Sequence, residues 1–163
     1  MIRSAIALGS NQGDSLQIVQ QSLTALAQIP GIEIDAVSSW YRTKPFGIKE
    51  AQPDYLNGCA VLSVAQTPEA LLTLLQATEI QFGRDSSSKG QLQPRTLDLD
   101  LLLYGDLIVD THSLQIPHPR MTERAFVLVP LAEIAPNWIE PKSGQNIARL
   151  LGEVDTSGVT LYG

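Results

Sequence analysis

Ile2 to Leu8 is mostly apolar and stops at Gly9-Ser10-Asn11, which predicts a buried strand followed by a turn. Asp14 or Ser15 is placed to cap a helix whose residues Leu16, Val19, Leu23, Leu26 and Ala27 keep helical spacing. Pro30-Gly31 ends it. Ile32, Ile34 and Ala36 then alternate with Glu33 and Asp35, the pattern of a half-buried strand running on towards Tyr41. From Thr43 to Asp54 the period is lost, and Pro45, Gly47 and Pro53 mark a loop of about a dozen residues. Loops of that length in compact domains are often lids or binding loops. Leu56 to Val64 reads as a strand. Thr67-Pro68 supplies a capping hydroxyl and a first-turn proline for a second helix, with Leu71, Leu72, Leu74, Leu75, Thr78 and Phe82 on its packed side. Arg84 to Pro94, with three serines and Gly90, is a second irregular stretch. Thr96 to Tyr104 is the next strand, ended by Gly105-Asp106. Leu107 to Val109 adds a short strand, and Thr122 to Ala135 a helix that Pro130 must break or kink. Gln145 to Leu151 is a short helix, and Val159 to Tyr162 a last strand.

The order strand, helix, strand, strand, helix, strand is the β-α-β-β-α-β arrangement of ferredoxin-like folds. The expectation is an α+β sandwich with a mostly antiparallel sheet. Both early helices lie on one face, the other face is left free for a site, and two long loops border it. A chain of 163 residues is expected to form one domain over 1–163. Fold alone does not name a function.

Charge narrows the choice of function. Eleven Lys and Arg against 17 Asp and Glu leave a net charge of −6. That argues against a nucleic-acid binder with a broad basic face and against docking on an anionic membrane. The single Cys59 excludes an internal disulfide and a cysteine zinc site, and fits a reducing compartment. No apolar run reaches bilayer length, and Met1 to Ile6 lacks the build of a signal peptide. A cytoplasmic soluble protein is the expectation, with nothing demanding more than a monomer. The average charge hides a local bias, since eight of the eleven basic residues lie between positions 42 and 124. They are either solvated surface charges or the holders of something anionic.

Asp98-Leu99-Asp100 is the sharpest local feature. Side chains alternate along a strand, so Leu97, Leu99 and Leu101 face the core. Asp98 and Asp100 then stand together on the other face, roughly 7 Å apart. Two such carboxylates repel unless something neutralises them, and hard oxygen donors suit magnesium held jointly with substrate phosphates. A solvated polar face produces the same alternation, so both readings stay open. Arg95 precedes the pair, and His118, Arg120 and Arg124 follow. Arginine forks onto phosphate oxygens. His118, between two prolines, is either a phosphate donor or proton carrier, or a turn histidine bonded to backbone. Gly9-Ser10-Asn11-Gln12-Gly13 lacks the Lys-Ser/Thr of a P-loop and reads as a strand-to-helix turn. Cys59 lies in an apolar strand and reads as inert core.

Five ordered segments carry a family resemblance. They are Ala7 to Asn11, Ser38 to Thr43, Gln52 to Asn57, Pro94-Arg95-Thr96-Leu97-Asp98-Leu99-Asp100, and Pro117 to Met121 with Phe126 to Leu131 and Ile134 to Pro136 beyond. The chain resembles the 6-hydroxymethyl-7,8-dihydropterin pyrophosphokinases of folate biosynthesis. The resemblance implies transfer of the terminal pyrophosphate of ATP to the pterin hydroxymethyl group, with release of AMP. It implies that Asp98 and Asp100 bind two magnesium ions. Arg95 and Arg124 would hold the phosphate chain and stabilise charge in the transition state. Gln76, Glu79 and His118 would face the nucleotide, with Arg84 and Lys89 completing the ATP-binding set. Tyr55 and Asn57 would contact the pterin, Phe126 would stack on it, and Thr43 and Phe46 would line the same pocket.

The residues alone allow plainer roles for several of these. Phe126 also fits core packing, Tyr55 and Asn57 fit strand entry with a local hydrogen bond, and Glu79 fits an exposed helix surface. Two other function classes share the D-x-D strand: another magnesium-dependent phosphoryl or nucleotidyl transferase, and a non-catalytic ferredoxin-like binding module. The chain also departs from the family. Residues 85–93 lack the expected Arg-rich stretch and tryptophan, with Leu92 in the aromatic position, and Lys44 stands where proline is common. The resemblance therefore implies a lid that closes less firmly than its relatives' lids.

Overall fold

The computed structural model describes residues 1–44, 54–83 and 96–162. The elements in chain order are β1 (Ile2–Ser10), α1 (Ser15–Ala27), β2 (Ile32–Val37), β3 (Tyr41–Thr43), β4 (Tyr55–Val64), α2 (Pro68–Gln81) and β5 (Asp98–Tyr104). They are followed by β6 (Val109–Asp110), β7 (Gln115–Ile116), α3 (Ala125–Ile134), β8 (Ile139–Glu140), β9 (Gln145–Asn146), α4 (Ile147–Leu151) and β10 (Thr160–Leu161). The main sheet is antiparallel throughout, in the order β10-β3-β4-β1-β5, with β2 also paired to β4. Counting β2 and β3 as one broken strand, this is the order of a ferredoxin-like sandwich.

The helices start where the sequence supplies an acceptor. Asp14 Oδ1 accepts from the N–H of Gln17 at 3.3 Å, and Thr67 Oγ1 accepts from Ala70 at 3.2 Å. Each such cap is worth about 1 kcal/mol. α1 and α2 pack on one face of the sheet against Ile6, Leu8, Leu62, Leu99 and Leu101. Burying each of these side chains contributes on the order of 1.5–3 kcal/mol.

Three expectations need correction. The opposite face is not left free. A second core forms there from Cys59, Val61, Leu102 and Leu103 with Val127, Leu128 and Leu131 of α3 and Ile147 and Leu150 of α4. A register shift between Ala5 and Ile6 lets both Leu102 and Leu103 join it. Secondly, of the break or kink expected at Pro130 the break is absent, since α3 runs from Ala125 to Ile134 through the buried proline. The proline cannot donate to the carbonyl of Phe126, and packing of the helix on β4 outweighs that loss. Thirdly, the strand from Ile32 does not continue to Tyr41. Ser38 interrupts it by exchanging bonds with Cys59, donating its N–H to the carbonyl and accepting the N–H on Oγ, each at 2.9 Å. Beyond it Trp40 lays its ring over Gly58, which has no side chain to meet it.

Candidate active site

The alternation in β5 is as expected. Leu97, Leu99 and Leu101 are buried in the α1/α2 core, and Asp98 and Asp100 lie partly exposed on the α3 side. Strand register sets what lies beside them. Asn57 of β4 pairs with Gly9 of β1, and Gly9 pairs with Asp98 of β5. The next row on the same face is Cys59, Ala7 and Asp100. Burial pushes the Cys59 thiol well above its ordinary range, and the Asp100 carboxylate adds to the effect. Cys59 is therefore an inert core thiol, as its strand context suggested.

A cleft of about 1130 Å³ opens over these rows. Asp98, Asp100, Gln76, Glu79, His118 and Arg124 line it together with Thr43, Tyr55, Asn57 and Phe126. Ten of the residues singled out from the sequence thus meet in one place. Phe46, Arg84, Lys89 and Arg95 lie outside the described residues, as does the departure over 85–93 with Leu92. Lys44 is exposed and lines the cleft.

The plainer alternatives now separate. Glu79 is not on an exposed helix surface. It is 5% exposed, and its Oε2 accepts from the N–H of Leu99 at 2.8 Å. Asn57 is buried, and its Nδ2 donates across the sheet to Thr43 Oγ1 at 2.7 Å. The carboxamide oxygen then lies over Gly9. Phe126, at the first turn of α3, is half-buried against the second core, and the Arg124 guanidinium stands 5.5 Å from its ring centre.

His118 sits after the β7 strand, with its N–H donated to the carbonyl of Leu102 at 3.0 Å. Burial first, and then the cations of Arg124 and Arg120, lower its pKa to about 4, with Asp98 opposing them. At neutral pH the ring is uncharged. Its Nδ1 accepts from the N–H of Arg120 at 3.2 Å, so the proton is on Nε2 and can be donated to an anion.

Asp98 and Asp100 fit a magnesium site. Among the described residues no group of three or more His, Cys, Asp or Glu gathers around one point. Asp98 and Asp100 would hold such an ion, and water and substrate phosphates would have to supply its remaining ligands, as magnesium accepts when carboxylates are few.

Sequence reasoning missed two features. Gly9 and Ala7 form the floor between β4 and β5. A glycine in a strand interior marks close approach of something to the backbone. The sequence pattern places Gly9 in a turn after Leu8, and only the extension of β1 to Ser10 puts it inside the strand. The second is Glu133 of α3, which accepts from the Ser39 N–H at 2.8 Å, Ser39 Oγ at 3.0 Å and Tyr41 Oη at 2.6 Å. It ties α3 to the strand that carries Thr43. No local pattern announces a contact 94 residues apart in sequence.

Comparison with known proteins decides the family. The profile of the 7,8-dihydro-6-hydroxymethylpterin-pyrophosphokinase (HPPK) family matches residues 5–136. The chain belongs to this family. A 2-amino-4-hydroxy-6-hydroxymethyldihydropteridine pyrophosphokinase of Synechocystis sp. is 48% identical over 156 residues, covering 96% of this chain and 78% of the relative. One from Pseudomonas aeruginosa is 39% identical, covering 96% of this chain and 94% of the relative. A crystal structure of Plasmodium falciparum HPPK-DHPS matches with a TM-score of 0.67 at 14% identity, over 94% of this chain. Another HPPK-DHPS structure, in complex with substrates, gives 0.71 at 12% identity over 93%. At such identity these two speak for the fold, and this chain spans only 43% of each. The ferredoxin-like HPPK fold and the enzyme class follow. The activity is transfer of pyrophosphate from ATP to hydroxymethyldihydropterin in folate biosynthesis.

Proposed function

We propose that the cleft performs this transfer with Asp98 and Asp100 as the metal-holding pair and Asn57 as the pterin anchor, in a single domain over 1–163. The observation that carries the assignment is the sheet register. It puts Asn57 and Asp98 on one row, two strand spacings or roughly 10 Å apart. A flat bicyclic ring gripped at Asn57 extends its one-carbon arm across β1 towards the carboxylates. The hydroxyl oxygen then attacks the β-phosphorus of ATP and gives up its proton to solvent, the bond to the bridging oxygen of the α-phosphate breaks, and AMP departs.

In-line phosphoryl-type transfer asks for alignment and for neutralisation of the phosphate chain. Magnesium, when bound, supplies positive charge against the phosphates; two ions are the number we propose. Arg124 adds a fixed guanidinium beside the cleft, and Arg95 a second in this proposal. His118 donates Nε2–H to a phosphate oxygen. Gln76 and Glu79 face the nucleotide, with Arg84 and Lys89 at its phosphates. Thr43, Phe46, Tyr55 and Phe126 enclose the pterin. Tyr55 contributes an edge, and Phe126 a stacking face worth about 0.5–1.5 kcal/mol.

No helix among the described residues is long and apolar enough to cross a membrane. A cytoplasmic, monomeric enzyme is the form we propose. Product analysis with ATP, magnesium and the reduced pterin tests the whole reading. AMP and the pterin diphosphate are expected. ADP as the sole nucleotide product points to an ordinary kinase, free pyrophosphate to a nucleotidyl transferase, and no turnover to a binding module.

A further inference from the structure

We infer that Gly9 is a positioning residue for the pterin, setting both the direction of the Asn57 carboxamide and the depth at which the ring rests on the sheet. The inference rests on the pterin assignment of the cleft and adds to it a residue that makes no polar side-chain contact at all.

Three observations converge on Gly9. First, it is the middle member of the row Asn57, Gly9, Asp98, so whatever joins the pterin anchor to the carboxylates passes over it. Secondly, it is buried and lines the cleft. Thirdly, a Cβ placed there would lie 3.2 Å from Asn57 Oδ1, with the next neighbour, the Leu56 carbonyl, at 3.8 Å. Its backbone is not in the left-handed region, where five other glycines lie among the described residues. Chain conformation therefore does not require glycine at this position, and alanine costs the strand nothing in φ. Glycine in a strand interior even lowers stability relative to alanine. What a hydrogen provides here is space above β1.

That space has a chemical consequence. Asn57 Nδ2 is committed to Thr43 Oγ1 at 2.7 Å, which turns Oδ1 towards Gly9 and β5. Asn57 thus offers the ligand a carbonyl acceptor on the side that faces the carboxylates, and a ligand with an N–H donor on its edge is the one that fits. The amino-pyrimidine edge of a pterin carries such donors. A methyl group at position 9 presses on Oδ1 and forces the carboxamide to turn or Asn57 to shift. It also lifts the ring off the floor.

The test compares wild type with Gly9→Ala, alone and in an Asn57→Ala background. The readouts are melting temperature, steady-state KM for each substrate, and the Kd of the reduced pterin by direct titration. Gly9→Ala is expected to keep or raise the melting temperature, to raise the KM and Kd of the pterin about tenfold, and to leave the KM of ATP within twofold. In the Asn57→Ala background the same change is expected to raise pterin Kd less than it does in the single variant, because the oxygen it presses on is gone and only the lifting of the ring remains. Equal losses in both backgrounds, an unchanged pterin Kd in the single variant, or a variant that melts lower or does not fold would each overturn the inference. The last result would mean that the hydrogen serves the sheet. A wild-type chain that binds no pterin would sink the functional reading itself, and the inference with it. Wild-type binding with an indifferent Gly9→Ala sinks the inference alone.

Discussion

Glu79 of α2 and Leu99 of β5 are joined by a hydrogen bond of 2.8 Å from a backbone N–H to a buried carboxylate. Leu99 is the residue between Asp98 and Asp100. Among the described residues β5 is the outermost strand beside β1, and no described strand accepts its outward N–H groups. Glu79 takes the place of such a strand at one point and fixes the segment that carries the aspartate pair. Glu79→Ala is expected to leave the Leu99 N–H without its acceptor and to cost about 1–3 kcal/mol in urea unfolding, with a fall in kcat. Glu79→Gln keeps an acceptor oxygen, and most of the stability and kcat should return. A Gln variant as stable as wild type but as slow as the Ala variant would show that the charge acts on the nucleotide instead.

The aspartates themselves behave in the opposite way. They stand on one face about 7 Å apart along the strand, and they are not part of either core. Asp98→Asn and Asp100→Asn are expected to lower kcat by about 10²-fold or more, with a much smaller effect on melting temperature because neither side chain belongs to a core. Magnesium titration followed by calorimetry in the presence of a non-hydrolysable ATP analogue should weaken in parallel. Parallel losses of melting temperature and activity would count against the metal assignment.

His118 gives a pH prediction with a definite sign. Its pKa is about 4 in the folded chain against 6.5 for a free histidine, chiefly through burial and then through Arg124 and Arg120. Between those values the unfolded chain binds the extra proton and the folded one does not. Stability contributed by the neutral ring is therefore complete above pH 6.5 and is lost as pH falls towards 4. The loss reaches at most about 3 kcal/mol and is reduced by solvent screening at a partly open site. Subtracting the pH–stability curve of His118→Gln from that of wild type isolates it. A flat difference across this window would mean that the ring is solvated as in the unfolded chain.

The distribution of what was legible in the sequence has a physical cause. The Asp98-Leu99-Asp100 alternation and the Thr67 cap are local, and local periodicity reports which face a side chain takes. Thr43, Tyr55 and Asn57 are singled out only through the family resemblance, because the bond between Thr43 and Asn57 spans a loop. Glu79 read equally well as surface because a carboxylate on a helix carries no sign of the edge N–H waiting for it. The second core was missed because α3 is apolar at every position but Glu133, and nothing in its own pattern says which sheet face it covers. The break at Ser38 depends on a hydroxyl competing with the backbone for the N–H of Cys59, a choice that exists only once β4 lies alongside.

The tie between α3 and the broken strand predicts a spectroscopic change. Glu133 accepts from Tyr41 Oη at 2.6 Å and from Ser39 N and Oγ. The Tyr41 phenol is pushed up to about 12, first by burial and then by the bond to and charge of Glu133. The Glu133 carboxyl is held below its ordinary value by its bonds to Tyr41 and Ser39, against the opposing effect of burial. In Glu133→Ala, Tyr41 is expected to titrate closer to 10, measured by phenolate absorbance against Tyr41→Phe as the reference. Because β3 carries Thr43, the partner of Asn57, pterin KM should rise in the same variant. An unmoved phenol titration would show that burial alone sets it.

Gly58 supplies the counterpart to Gly9. A Cβ on Gly58 would come within 2.5 Å of Cε3 and Cζ3 of Trp40, closer than any side chain tolerates, and 3.1 Å from Ser38 Oγ. Trp40 is packed against the α1/α2 core, so its ring cannot swing aside without opening that core. Gly58→Ala is expected to destabilise the protein by about 1–3 kcal/mol through overpacking, lowering the melting temperature by several degrees. Activity per folded molecule should change much less. A smaller ring partner relieves the strain, so Trp40→Leu should make Gly58→Ala nearly neutral in the double variant, and additivity would show that the clash is absorbed elsewhere. Neighbouring strands thus hold two glycines with opposite signatures: one kept bare for a tryptophan and read out in stability, the other kept bare for a substrate and read out in binding.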